Sequence, residues 1–586
     1  MADNNIYAAP GTMADDKLII GIDFGTTYSG AVWATTRAPD SLVEVVDWPG
    51  GGFNSAPKVA SQIRYLENGE FEWGDQIPTD ADSRGVYKLF KLLLVEGNLF
   101  ENAAATMSGI PFPVNVDQVI SDYMAGLLGH VLQTMRDTLG VVLDSRPLHI
   151  VLTVPAMWSD LAKQRTLQAF RRVPAVAAIE PSITLLSEPE AAAISALREL
   201  DRASLRDEDT FVVVDAGGGT VDLITYTVAS LFPILKVHEA TVGTGDLCGG
   251  SFVNLRFQQF LTAKLQDEPN WDLDILHVAL GSFETDVKRS FSLGALAENR
   301  TYNIAVPGLE QNIDAGLLRN GRYVLKSSDL HMFYERYILR IIQLIKEQIT
   351  MCQNPIRSII LVGGFGQSMY LRERVERAIS EDKSIQAHIE ILQPPNGWLS
   401  VARGAAIKGL AEAKPEDYDI PVVMSRTARK HYGYEVGVQF DSNVHSPLIS
   451  KKYWDRFFGD WRVRAMDWFI KRGERVSEDV PFGKSYIYHW PVGTTRSSQK
   501  YSLTIYADET SSKAPIARSS STQMLCRLTA DLSPIPEDEL EKRLGADGRM
   551  HYWVEFDVEA IYHSASTQYT LLHRGKRYDT ITAEYV

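Results

Sequence analysis

The chain has 586 residues, 45% of them hydrophobic and 23% charged, which is ordinary for a globular protein and too long for one core, so two to four domains are expected. Its formal net charge of −15 argues against nucleic acid as the main partner and against docking on an anionic membrane, since both depend on Lys and Arg. Three scattered cysteines and 12 histidines without ligand spacing leave no readable disulfide framework or Cys/His metal site.

Residues 1–16 are polar and acidic, with no basic or apolar segment of the signal-peptide kind, and are expected to form a disordered tail. No apolar run reaches the ~18 residues of a membrane span. A cytoplasmic or nucleocytoplasmic protein follows as the expectation, and the sequon Asn299-Arg300-Thr301 then reads as chance.

From residue 17 to 410 strands and helices alternate. Short apolar runs at 18–22, 150–154, 211–214 and 359–362 read as strands buried on both faces of an α/β sheet. A helix is expected over 329–351, with Phe333, Tyr337, Ile341, Leu344, Ile345 and Gln348 on one face and Ser328 or Asp329 as N-cap. Residues 411–430 contain a charged, proline-broken stretch and read as a linker. Over 431–586 the pattern turns to period two, with strands expected at 432–440, 501–506 and 552–562 and one helix at 455–475. Trp490, Trp553 and nearby tyrosines read as the core and rim of this β-rich domain in preference to a binding face. No tandem repeat is present, but a short motif occurs twice and carries the chemistry.

Its first copy is Gly21-Ile22-Asp23-Phe24-Gly25-Thr26-Thr27-Tyr28-Ser29 and its second Val214-Asp215-Ala216-Gly217-Gly218-Gly219-Thr220-Val221-Asp222. Each follows an apolar strand, turns on glycine and threonine, and enters another strand. Glycine lets the backbone approach a ligand without a Cβ in the way. Successive N–H groups of such a turn make a concave anion site, and the threonine hydroxyls add donors. Each aspartate then faces phosphates, where a metal makes it tolerable. Two such turns from two half-domains can clamp one triphosphate. Neither turn opens a helix, so a Rossmann fingerprint does not apply, and there is no GxxxxGK[ST] loop.

GIDFGTTYSG, TVPAMW, LLSEPEAAAISAL, VVVDAGGGTVDL and IILVGGFGQSMYL occur in that order between residues 21 and 371. They resemble the phosphate-1, post-strand, connecting, phosphate-2 and adenosine segments of the actin-like ATPase superfamily. Within it the chain is most similar to the seventy-kilodalton heat-shock chaperone family, over about residues 17–410. The divergent C-terminal part resembles the atypical branch of heat-shock family A member 12 and its fungal relatives. The resemblance implies an α/β actin-like ATPase fold of two duplicated lobes around a nucleotide cleft (17–410), followed by a smaller β-rich C-terminal domain (431–586).

It also implies roles. Asp23 holds the magnesium shell through water, and Gly25, Thr26, Thr27 and Tyr28 form the first phosphate turn. Glu188 orients water at the metal and joins the lobes, and Asp215 positions magnesium-bound or attacking water. Gly217, Gly218, Gly219 and Thr220 wrap the β- and γ-phosphates, and Gly363 and Gly364 turn beneath the adenosine. Lys91 is placed as the cation at the γ-phosphate, with Lys88 as the alternative. Asp222 either belongs to the second phosphate turn or caps it. Phosphoryl transfer to water is mainly positioning and charge neutralisation, which fits this set.

Departures from the family pattern concentrate at the base. The family's Glu-x-x-Lys-Arg-x-x-Ser has its glutamate one position early here, at Glu284, while Lys288, Arg289 and Ser292 still fit. Phe365 and Gln367 stand where Ser and Arg are usual, so Phe365 either packs on adenine or fills core. Pro395-Asn396-Gly397-Trp398 replaces Pro-Asp-Glu, and Cys248-Gly249-Gly250-Ser251-Phe252 lacks the usual acids. Three readings follow: a chaperone-like ATPase acting with ATP, ADP and magnesium on protein clients or co-chaperones; a nucleotide-binding scaffold with weak or no catalysis; and a sugar-type kinase.

Overall fold

The computed structural model describes residues 16–51, 55–78, 85–95, 115–199, 205–385, 388–413, 421–477, 480–493, 500–532, 535–563, 565, 567–578 and 581–585. They fall into two compact units, Met1–Val237 with Gly243–Val422, and His238–Val242 with Val423–Val586.

The first unit repeats one sheet topology twice. In the first lobe β1 (Leu18–Asp23) and β2 (Tyr28–Thr35) form an antiparallel hairpin, and β3 (Leu148–Val154) and β4 (Ser182–Ser187) continue the sheet in parallel on the β1 side. Helix α1 (Glu188–Glu199) leaves β4 with no intervening loop. In the second lobe β5 (Thr210–Ala216) and β6 (Val221–Ser230) form the matching hairpin. Helices α2 (Gly250–Leu265), α3 (Leu273–Ser282) and α4 (Ser327–Met351) follow, and then β7 (Ile356–Val362), which pairs with β5 in parallel. Helix α5 (Ser400–Ala413) returns the chain to the first lobe, against β1 and α1. β1, β3 and β5 are buried along their whole lengths, which is why their sequences are unbroken apolar runs.

All four apolar runs are therefore strands. The helix expected over 329–351 forms as α4, but its N-cap is Lys326, whose N–H is accepted by the Asp329 carboxylate at 3.0 Å. Asp329 thus sits one turn inside, closing the end as the partner of the cap. Gln348 on its apolar face is fully buried, accepting from Thr225 Oγ1 at 2.6 Å and donating to Thr244 Oγ1 at 3.0 Å. Paired in this way, an amide is tolerated where Leu would be expected.

Helix α5 packs by backbone contact. A Cβ on Gly404 would lie 1.7 Å from the Ala191 carbonyl oxygen in α1, and one on Gly21 of β1 would lie 2.4 Å from the Ala402 carbonyl oxygen. Only glycine permits this approach.

The second unit is a sandwich of two antiparallel sheets. One runs Tyr453–Asp455, Asp460–Ile470, His431–Gln439, Lys500–Asp508, Gln523–Asp531, Ile581–Tyr585. The other runs Phe482–Pro491, Met550–Tyr562, Thr567–His573, Lys576–Tyr578, with Glu541–Leu544 also on Met550–Tyr562. Tyr434, Ile505 and Leu528 from one meet Tyr486, Trp490 and Phe556 from the other in a shared core. Trp490 and Trp553 are both buried, as expected of core residues.

Three expectations are corrected. The helix expected over 455–475 is mainly the strand Asp460–Ile470, paired with His431–Gln439. Val463 and Ala465 alternate inward there, and cross-strand pairing overrides local helix propensity. Of the linker expected over 411–430, residues 411–413 end α5, Val422–Thr427 is a strand, and 414–420 lie outside the described residues. Of the tail expected over 1–16, residues 1–15 also lie outside them, while Asp16 is buried with ion pairs to Arg37 at 3.0 Å and Arg146 at 2.9 Å. Among the described residues no helix is long and apolar enough to cross a membrane.

Gly404→Ala is expected to destabilise the chain by about 1–3 kcal/mol through overpacking against α1. Gly129→Ala, at a helix position where an added Cβ meets nothing within 4 Å, is expected to be neutral or to stabilise by up to ~1 kcal/mol. Urea melts of the two variants check the pair.

Candidate nucleotide site

The two duplicated hairpins touch each other. A Cβ on Gly218 would lie 2.1 Å from Thr27 Oγ1, and one on Gly219 would lie 2.9 Å from Thr26. The second turn is held in shape by the start of α2. Gly250 N donates to Gly217 O at 3.0 Å, and Ser251 donates to Gly218 O through its N at 2.8 Å and its Oγ at 2.6 Å. The Gly217 N–H closes the turn on Thr220 O at 3.0 Å; with the Gly217 and Gly218 carbonyls engaged from behind, the N–H groups of Gly218 to Thr220 are left to face a ligand. The segment Cys248–Phe252, altered from the family pattern, therefore has a backbone role. Ser61 supports the first turn likewise, its Oγ donating to Gly25 O at 2.8 Å.

Four acidic side chains converge beneath the hairpins: Asp23 at the end of β1, Glu188 at the start of α1, and Asp215 and Asp222 opposite each other on β5 and β6. All four are buried. Burial drives the Glu188 carboxyl up to about 7, with Asp23 and Asp222 adding to it and Lys91 opposing. Burial likewise holds Asp215 well above the usual carboxylate range, reinforced by Glu188, Asp23 and Asp222 and opposed by Lys58. Two cations answer them. Lys58 Nζ lies 2.5 Å from Asp23 Oδ2, and Lys91 Nζ lies 2.6 Å from Glu188 Oε1. Four buried carboxyl groups face two lysines, an oxygen-donor set of the kind that suits a hard divalent cation such as magnesium. Among the described residues no group of three or more His, Cys, Asp or Glu side chains is arranged to hold an ion directly, so the set fits magnesium through its water shell.

A cavity of about 620 Å³ lies over this cluster. Of the predicted residues, Asp23, Glu188 and Asp215 line it, as do Gly25, Thr26, Thr27 and Tyr28. So do Gly217, Gly218 and Thr220, and on the base side Lys288, Arg289, Gly363, Gly364 and Phe365. Three do not. Gly219 is turned against the Thr26 side chain. Ser292 caps the short helix Leu293–Ala297, accepting from Ala295 N at 3.2 Å. Lys91 is 1% exposed behind the wall, donating to Phe24 O as well as Glu188, between the Phe24 and Trp158 rings. The lysines on the wall are Lys58, Lys88 and, on the base side, Lys288. Lys58 was not identified from the sequence, because its only local signal is a polar residue at a strand edge. Asp222 accepts from Met157 N of the first lobe at 3.0 Å, tying the lobes together.

The base side explains the displaced glutamate. The helix after α3 continues as a π-turn over Phe283–Val287. A π-turn takes up one extra residue per turn. Glu284 therefore still lines the cavity beside Lys288, with Lys288 Nζ at 2.8 Å and Asn254 Nδ2 at 2.5 Å from its Oε2. Burial would raise the Glu284 carboxyl, but Lys288, Asn254 and Arg289 outweigh it and hold it below its ordinary value. Gly363, at φ +80, lies so close to β5 that a Cβ would meet Asp215 Oδ1 at 2.5 Å. Beyond it Trp398 stands beside Gly364, with the Arg289 guanidinium 5.8 Å from its ring centroid and Tyr28 edge-on at 5.9 Å. Burial pushes the Tyr28 hydroxyl up to about 12, so it remains a donor. Phe365 both lines the cavity and packs in the second-lobe core against Tyr334.

Residues 114–419, more than half of the chain, match the family described as Hsp70 protein. The chain belongs to the Hsp70 family. It is 22% identical to heat shock 70 kDa protein 12B of Homo sapiens over 81% of this chain and 78% of that protein, and 22% identical to heat shock 70 kDa protein 12A of Homo sapiens over 80% and 79%. Both alignments cover more of the chain than its first unit contains, in keeping with the atypical branch. It is also 24% identical to a chaperone protein HscA homolog of Neisseria meningitidis over 67% of this chain and 58% of that protein. Membership of the Hsp70 family supports an ATP-binding, chaperone-like function.

The raised Glu188 carboxyl has a consequence for this Hsp70-family chain without nucleotide or divalent cation. Between about 4.5 and about 7 its folded form binds more protons than the unfolded chain, so its contribution to stability falls as pH rises through that window. Glu188→Gln is expected to flatten the stability–pH slope there by up to ~1.4 kcal/mol per pH unit, whatever it does to absolute stability. Urea melts at several pH values in EDTA read the slope.

Proposed function

We propose that this Hsp70-family chain is a magnesium-dependent ATPase that couples hydrolysis to movement of its two lobes and acts, chaperone-like, on protein clients. One observation carries the reading: two glycine turns from opposite lobes meet over four buried carboxylates and two lysines. The N–H groups of Gly25 to Thr27 and Gly218 to Thr220 bind the phosphates from two sides. Asp23 and Asp215 would hold a magnesium ion there. Glu188, oriented by Lys91, and Asp215 position the attacking water. When bound, magnesium supplies charge neutralisation for the transferred phosphoryl group. Lys58 takes the role of cation at the phosphate end. Because Glu188 begins α1 and Asp222 holds the other lobe through Met157, loss of the γ-phosphate contacts loosens both turns together.

The Lys58–Asp23 ion pair favours a second reading, a nucleotide-binding scaffold with feeble catalysis, because a lysine already neutralises the carboxylate nearest the first turn. Steady-state phosphate release separates the two. The ATPase reading expects magnesium-dependent turnover that falls at least ~100-fold in Asp215→Asn. Turnover no higher than in that variant, with ATP binding intact by calorimetry, selects the scaffold.

A further inference from the structure

The cavity extends beyond the residues that a nucleotide engages. On α3 the cavity-facing positions are Leu273, Leu276, His277 and Leu280, continuing to Glu284. Their spacing of three and four places them on one helical face. From Leu273 to Glu284 this stripe runs roughly 16 Å at 1.5 Å per residue. Val86 and Leu89 of the first lobe line the same cavity and complete the apolar wall. Leu89 is held at φ +58, a conformation leucine rarely adopts, at a position where its side chain is buried on this wall.

Two basic groups stand in this outer compartment, Lys88 and His277. Among the described residues, Lys88 makes no ion pair with a carboxylate. Burial lowers the Lys88 ammonium below its ordinary value. Burial and Lys88 together lower His277, with Asp274 opposing. Lys88 acts on His277 of α3 and lines the cavity with it. A half-buried lysine without a counter-ion beside an apolar stripe is complementary to a ligand with one negative group and a hydrocarbon body.

We propose that the outer part of the cleft is a second binding site, distinct from the nucleotide site, for a small amphipathic carboxylate. Its hydrocarbon tail lies between Leu273, Leu276 and Leu280 on one side and Val86 and Leu89 on the other, and its carboxylate meets Lys88 and His277. A ligand so placed touches both lobes and bridges the mouth of the cleft.

The test is calorimetric titration of dodecanoate, below its micelle concentration, into the full-length nucleotide-free chain. Acetate serves as the tail-less probe and dodecyltrimethylammonium as the charge-reversed probe. The variants are Leu273→Glu, at a residue 58% exposed and so tolerant of substitution, and Lys88→Gln; thermal melts verify folding of each. The expected result is saturable binding of one dodecanoate per chain, weakened about tenfold or more in each variant, with neither control probe binding. Asp23→Ala is expected to lose ATP binding and keep dodecanoate binding, which separates this site from the nucleotide reading. The proposal is overturned by the absence of saturable binding, by equal affinity in both folded variants, or by equal affinity for the cationic probe. If one variant fails to fold, the other decides.

Discussion

The close approach of two glycine turns is the constraint on which the rest depends. Gly218 and Gly219 lie against Thr27 and Thr26 with no room for a side chain. That contact brings the ends of β1 and β5 together, and with them Asp23, Asp215 and Asp222. Packing like charges in a buried site is costly unless cations compensate. Lys58 and Lys91 compensate in part. Duplication of the lobe explains how two such turns can face each other, since each sheet presents the same strand end.

The supporting contacts are arranged around that constraint. Helix α2 begins by hydrogen-bonding the back of the second turn, Ser61 does so for the first, and Gly363 presses on Asp215 from β7. Helix α5, lying against β1 and α1, is close enough that Gly404 and Gly21 admit no Cβ. Small residues thus recur wherever one backbone must reach another near the cleft. Trp398 with Arg289 and the π-turn at Phe283–Val287 form a wall of altered composition beside the two glycine turns.

The phosphate half of the cleft was legible because its chemistry is local. Asp–Gly–Thr turns after apolar strands carry their own signal, and Asp23, Asp215, Gly217 and Gly218 occupy the wall where that signal puts them. Lys58, Asn254 and Tyr334 were not legible as cavity residues, because the local pattern around each carries no ligand signal, whereas Trp398 stood in a segment already marked as altered. Lys91 illustrates the converse. Expected at the γ-phosphate, its side chain turns inward to Glu188 and Phe24, between two aromatic rings.

By itself the sequence determined the strand–turn–strand motifs, the α/β alternation and the β-rich C-terminal part, since these follow from periodicity and from the backbone freedom of glycine. The tertiary structure decided the helix–strand question at Asp460–Ile470, where pairing with His431–Gln439 outweighs local propensity. It decided which lysines face the cavity, and it returned Glu284 to the wall through a π-turn. Each of these turns on partners distant in the chain, and a contact between distant residues leaves no trace in the local pattern of either.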